Sequence, residues 1–261
     1  MIRWFRNRRR RLLLQKPFPP EWQATLEEVD FFRLLNSEEQ SQLQRDVRVF
    51  VAEKHWEGVH GIELTDAMQV RIAAFACRLI LGLGIDCYNR TMSILVYPDA
   101  YAVPEQLAIR GGGVIEGRSQ RLGENWYRGP ILLSWPDVLA AGRDGARTSN
   151  LVYHEFAHEL DTLNGRNVDG TPVLDSPELA RRWGPVMSRA YQRLCADCRF
   201  GRPTLLDCYG AKDRGEFFAV ATEVFFQQPV RMQRREPDLY EVLSAYYRQD
   251  PAARVLHRTD V

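Results

Sequence analysis

Residues 150–161 read NLVYHEFAHELD, and this segment has little choice but to be a helix that buries one face. Asn150 is a good N-cap, and its side-chain oxygen can take one of the N–H groups that a helix start leaves unbonded. Leu151, Val152, Phe156, Ala157 and Leu160 are helix-compatible and mostly apolar, no proline intervenes, and Asn164-Gly165 can terminate the run. On such a helix His154 and His158, four residues apart, share a face with their Cβ atoms only a few ångströms apart. They can aim two imidazoles at one Zn²⁺. Glu155 stands beside the first of them and can reach a metal-bound water without being a ligand, the logic of H-E-x-x-H. The competing reading is a pair of surface histidines with an accidental glutamate. Two of only five histidines falling on one mostly apolar helix favours the metal.

A catalytic zinc takes three protein ligands and keeps one position open. No histidine follows closely after Asp161, so the third ligand comes from elsewhere. His55, His60 and His257 are distant in sequence. A carboxylate on a later helix is the better candidate: residues 209–226 read YGAKDRGEFFAVATEVFF, with Glu216 and Glu223 seven apart on roughly one face. A carboxylate among so many apolar residues is costly unless it is paired or metal-bound. An outward-facing position remains the alternative for one of the two. Asp161 and Glu223 are also candidates for orienting a ligating imidazole.

The rest of the chain reads as a folded body of α+β class. It has 261 residues, 45% hydrophobic, and 35 basic against 34 acidic side chains for a net charge of +1. That balance excludes a broadly basic nucleic-acid surface and an acidic disordered chain. Residues 1–20 carry six arginines in the first eleven positions and three prolines at the end, which reads as a flexible basic tail; contact with anionic lipid is its functional alternative. Residues 21–261 are expected to form a single metallopeptidase domain. Its parts are helical (21–90), a small sheet (91–136) and a zinc-binding helical part (148–261). Ser37 and Gln40 suggest a capping box opening a helix over 37–55, and Thr65 or Asp66 can cap a second, ending near Gly82 and Gly84. SILVY (93–97), 101–103, 113–116 and PILLSW (130–135) read as strands with glycine turns between them. Because those connections are short, the sheet is expected to be antiparallel. Further helices are expected from Ser176-Pro177, broken at Gly184-Pro185, then over 214–227 and 238–248. The longest apolar run, 72–85, is too short to span a bilayer and reads as a buried helix. Five cysteines and no secretory pattern favour a reducing, cytoplasmic setting. Cys195 and Cys198 form C-x-x-C without a second pair and are read as packing residues.

HEFAHELD followed by Y-(six residues)-E-F-F-A-V-A-T-E-V-F-F resembles the glucose-regulated metallopeptidase family of Mlc titration factor A. The Tyr209-to-Glu216 spacing is also similar to the metallopeptidase domain of anthrax lethal factor. The likeness continues through RIAAFACRLILGLG (71–84), RGPILLSW (128–135) and YRQDPAARVLHR (247–258). The resemblance implies that His154, His158 and Glu216 hold the metal, that Glu155 is the catalytic base and that Tyr209 stabilises the oxyanion. It implies a gluzincin-type, zincin-like fold, peptidase and notably aminopeptidase activity, and binding of a transcriptional repressor of sugar-uptake genes. Some relatives carry a histidine where this chain has Ile115, so regulation through that histidine is not expected here. The expected partners are a peptide or protein substrate and such a repressor, with no nucleic acid. The rival class is a regulator that keeps the zinc site but works by sequestering the repressor.

Overall fold

The computed structural model describes residues 2–99, 129–141, 148–165 and 168–259. The chain opens with helix α1 (Ile2–Leu14), where the sequence suggests a flexible tail. One side chain explains the difference. Arg10 is nearly buried, its Nε and Nη2 each donate to a different carboxylate oxygen of Glu53 at 2.8 and 2.7 Å, and its Nη1 donates to Asp86 at 2.6 Å. A two-pronged guanidinium–carboxylate pair fixes direction as well as distance. The arginine run therefore contains an anchor, while Trp4, Phe5 and Leu12 of the same helix face outward.

Helix α2 (Pro20–Glu27) leads to α3 (Ser37–Glu53). The capping box of α3 is formed one residue earlier than expected, by Asn36 and Glu39; Gln40 instead donates to the carbonyls of Phe32 and Leu35. Strand β1 (His55–Gly58) precedes α4 (Asp66–Leu79), which Thr65 caps by accepting from the Met68 N–H. From Val70 to Leu79 every residue of α4 is buried, Arg71 and Arg78 included. Strands β2 (Ser93–Tyr97) and β3 (Ile131–Ser134) follow, and β3 runs into the short α5 (Trp135–Ala140).

The three strands lie in the order β1-β2-β3, and both pairings are parallel, with His55 opposite Ser93 and Ile94 opposite Ile131. The antiparallel expectation is thus corrected. Helix α4 lies between β1 and β2, and a helix in the connection brings the chain back to run parallel. The segments at 101–103 and 113–116, expected as strands, lie outside the described residues, as does Ile115.

The second half is helical: α6 (Leu151–Asp161), α7 (Pro177–Arg199), α8 (Arg214–Gln227), α9 (Pro229–Arg235), α10 (Pro237–Tyr247) and α11 (Pro251–Thr259). Pro185 does not break α7. Proline forfeits its own backbone bond, but Leu179, Trp183, Val186, Met187, Ala190 and Leu194 bury one continuous face across that position. Packing of an amphipathic face outweighs one missing bond, since each large apolar side chain removed from water contributes about 1.5–3 kcal/mol. Cys198, expected only to pack, forms a disulfide with Cys208 and ties the end of α7 to the turn before α8. No helix among the described residues is long and apolar enough to cross a membrane.

Candidate metal centre

Two helices build the site. Helix α6 begins where Asn150 accepts from the Tyr153 N–H at 3.1 Å, and this cap fixes the turn that carries His154. Helix α8 begins where Asp213 accepts from the Glu216 N–H at 2.9 Å, so Glu216 sits in its first turn. The two helices pack side by side. Gly215 to Phe226 are buried without exception, which seals the far side of α8 in the core and leaves its carboxylates no solvent to face.

His154, His158 and Glu216 are 2–3% exposed and each turns a ligand atom inward; the three atoms lie within 4.8 Å of one another. His154 Nε2 is 3.0 Å from Glu216 Oε2 and 3.2 Å from His158 Nε2, and His158 Nε2 is 3.3 Å from the same carboxylate oxygen. Two ring nitrogens and a carboxylate oxygen converge on one buried point. They suit a cation: donors about 2.0–2.1 Å from a tetrahedral metal stand roughly 3.3 Å apart. The donor set, two imidazoles and one carboxylate, is one that can hold a divalent metal ion.

The carboxylates charge the site before any metal enters. Burial alone would depress the basicity of His154, but the hydrogen bonds it donates to the Glu216 and Glu223 carboxylates outweigh it and raise its pKa to about 10. Burial likewise works to raise Glu216, and contact with His154 and His158 overrides it, holding this carboxyl well below its ordinary range. The carboxylates thus hold a proton on His154, whose place a bound metal ion would take.

Glu223 is buried too, so neither glutamate of α8 faces outward. Its Oε1 lies 2.7 Å from His154 Nδ1 and its Oε2 accepts from the Asn150 N–H at 2.6 Å. A carboxylate on Nδ1 fixes the tautomer and leaves Nε2 as the donor toward a metal. Asp161 has a different task from the one its position suggests. It accepts from the Gly170 N–H at 2.7 Å, and burial raises its pKa to about 7. Gly170 has φ of +77°, where glycine is favoured. The Trp183 indole donates to the Gly170 carbonyl at 2.9 Å, so α6, the loop after it and α7 are locked together.

Glu155 is half-buried on α6, between the two helix positions that flank the cluster. Tyr209 lies in the turn Cys208–Ala211, with its ring centroid 5.9 Å from that of His154. His55, His60 and His257 are exposed and stand outside the cluster. Two neighbours escape a motif search. Lys212 Nζ lies 4.0 Å from Glu216 Oε1, and Asp213 seats Glu216. The D-x-x-E spacing of residues 213–216 is the signal by which the second is legible.

Comparison with known proteins gives the same direction. A family profile described as glucose-regulated metallo-peptidase M90 matches residues 3–248. An uncharacterized protein of Synechocystis is 37% identical over 248 residues, 93% of this chain and 89% of the relative. A Mlc titration factor A of Escherichia coli is 32% identical over 243 residues, covering 92% and 89% of the two chains. One of Klebsiella pneumoniae is 34% identical over 224 residues, covering 84% and 83%.

Proposed function

The chain belongs to the glucose-regulated metallopeptidase family, and from that premise we propose that it is a zinc-dependent peptidase, notably an aminopeptidase, of zincin-like fold. His154, His158 and Glu216 hold the metal, Glu155 and Tyr209 do the chemistry, and residues 21–261 work as one domain. The observation that carries this reading is the meeting of three buried donor atoms beside the glutamate of an H-E-x-x-H helix.

A zinc ion bound there supplies Lewis acidity toward the scissile carbonyl and toward water. The chain's own residues do the rest. Glu155 accepts a proton from the attacking water and returns it to the leaving amine. The Tyr209 hydroxyl donates to the developing oxyanion. Glu223 keeps His154 in the tautomer that presents Nε2 inward. Among the described residues β3 is an edge strand of the sheet, so an extended substrate backbone has a row of backbone groups to pair with.

A second reading has its own support, since two of the relatives are named as titration factors of Mlc. On that reading the chain binds a transcriptional repressor in the cytoplasm and hydrolysis is secondary. The experiment that separates them is Glu155→Gln. The amide keeps shape and leaves the three ligands in place but is no base. We expect peptide hydrolysis to vanish with the metal retained. Activity equal to the parent's would end the assignment of Glu155, and a repressor-binding effect unchanged in the variant would favour the second reading.

A further inference from the structure

Away from the metal centre, the last turn of α4 carries an arginine that is hard to explain by folding alone. Arg78 is 5% exposed. Its Nη1 donates to the Tyr153 hydroxyl at 2.8 Å, and its Nε is buried with no hydrogen-bond partner. Among the described residues no carboxylate pairs with it. Arg254 is nearby but is itself a cation, already engaged with Glu39. Three aromatic rings surround the guanidinium, with Phe31 at 4.4 Å, Phe226 at 5.1 Å and Tyr153 at 5.8 Å from their centroids. Ring faces attract a cation, yet they do not use its N–H donors, and buried charges in folded proteins are as a rule paired. Arginine also stays charged, so neutralising it is no escape.

The same side chain lines a cavity of about 180 Å³, whose walls include Phe31, Phe75, Phe226, Gln227 and Val255. Among the described residues Asp30, exposed, is the one acidic residue of its lining. A dry apolar cavity of about 150 Å³ is enough to hold benzene. The space at Arg78 therefore has room for a single ring, aromatic walls to receive it, and one fixed cation with free donor capacity.

We propose that this cavity is a binding site for a small organic carboxylate, with the carboxylate on the Arg78 guanidinium and an apolar, ring-sized body against Phe31, Phe75 and Phe226. Charge selects an anion, the planar fork of the guanidinium suits a carboxylate, and the walls select the apolar body. The Gln227 amide is already donating to the Ala141 carbonyl, which leaves Arg78 as the anchor.

The test titrates benzoate, acetate and inorganic phosphate into the full chain at constant ionic strength, followed by calorimetry and by thermal shift. Benzoate is expected to bind one-to-one and saturably and to raise the melting temperature, as any ligand of the native state does. Arg78→Met is expected to weaken it by about tenfold or more, the loss of a charge-assisted pair. Val255→Phe fills the cavity from α11 without touching Arg78; it should abolish binding, and it serves if Arg78→Met does not fold. Absence of saturable benzoate binding to the parent, or equal binding in either folded variant, overturns the proposal. Acetate or phosphate binding as tightly as benzoate overturns the apolar-body part. Binding that survives Arg78→Met but is lost on Glu216→Ala belongs to the metal centre and overturns it as well.

Discussion

Both oxygens of the Glu223 carboxylate are used on α6: one faces the Nδ1 of His154 and the other takes the N–H of the residue that caps the helix. A single side chain of α8 thus sets the rotation of one imidazole and the start of the helix that bears it. Replacing it by glutamine keeps the shape but removes the charge that favours one tautomer. Zinc affinity of Glu223→Gln is expected to fall by about 10–100-fold with the fold retained; competition against a metal-binding dye measures it, and an affinity equal to the parent's would show that His154 needs no orienting partner. Tyr209 is the other residue whose role can be isolated. If its hydroxyl acts only in the transition state, Tyr209→Phe lowers kcat by roughly 10²–10³ and leaves KM and zinc content nearly unchanged. Steady-state kinetics on one peptide is the check. An unchanged kcat would reduce Tyr209 to a ring packed beside His154.

Among elements, α6 was the most legible in the sequence, because capping residue, apolar run and histidine pair all agree there, while α8 was legible from its apolar run and its two glutamates. Asn150 and Asp213 are side chains whose preferred local bond is the one a helix start needs. The seven-residue spacing of Glu216 and Glu223 identified a face but could not say that both members turn inward, because packing by α6 decides that. The direction of the sheet was not legible. β1 is HWEG, four residues without an apolar alternation, so the strand that makes α4 a crossover goes unseen and the pairing rule is applied to the wrong neighbours. The Cys198–Cys208 bond was hidden for a similar reason: it joins a helix end to a turn ten residues on, and spacing alone does not announce it. In α1, composition was a poor guide because part of the arginine run is structural, with Arg10 held by Glu53 and Asp86 and Arg6 beside Asp86. Arg10→Ala strands Glu53, a mostly buried carboxylate, at a cost of about 3 kcal/mol, toward the lower end for a broken buried pair. A circular-dichroism melt is expected to move down by several degrees, while Arg11→Ala, whose side chain is exposed, leaves it in place. Equal melting of both variants would return residues 2–14 to the status of a loose arm.

At the scale of the whole molecule, three unlike restraints hold the centre: the α6–α8 contact, the Asp161–Gly170–Trp183 chain of hydrogen bonds and the disulfide beside Tyr209. They come from segments scattered over residues 150–226, and together they keep two imidazoles and a carboxylate pressed into one buried point. Two imidazoles and a carboxylate held so close, and so far from water, form a donor set that a bound cation further stabilises. Zinc titration of the chelator-stripped chain by calorimetry addresses that claim most directly. The account predicts one tight site per chain, lost in His158→Ala and in Glu216→Ala while both variants remain folded. Zinc binding that is absent from the parent, or that persists unchanged when either ligand is removed, would contradict it.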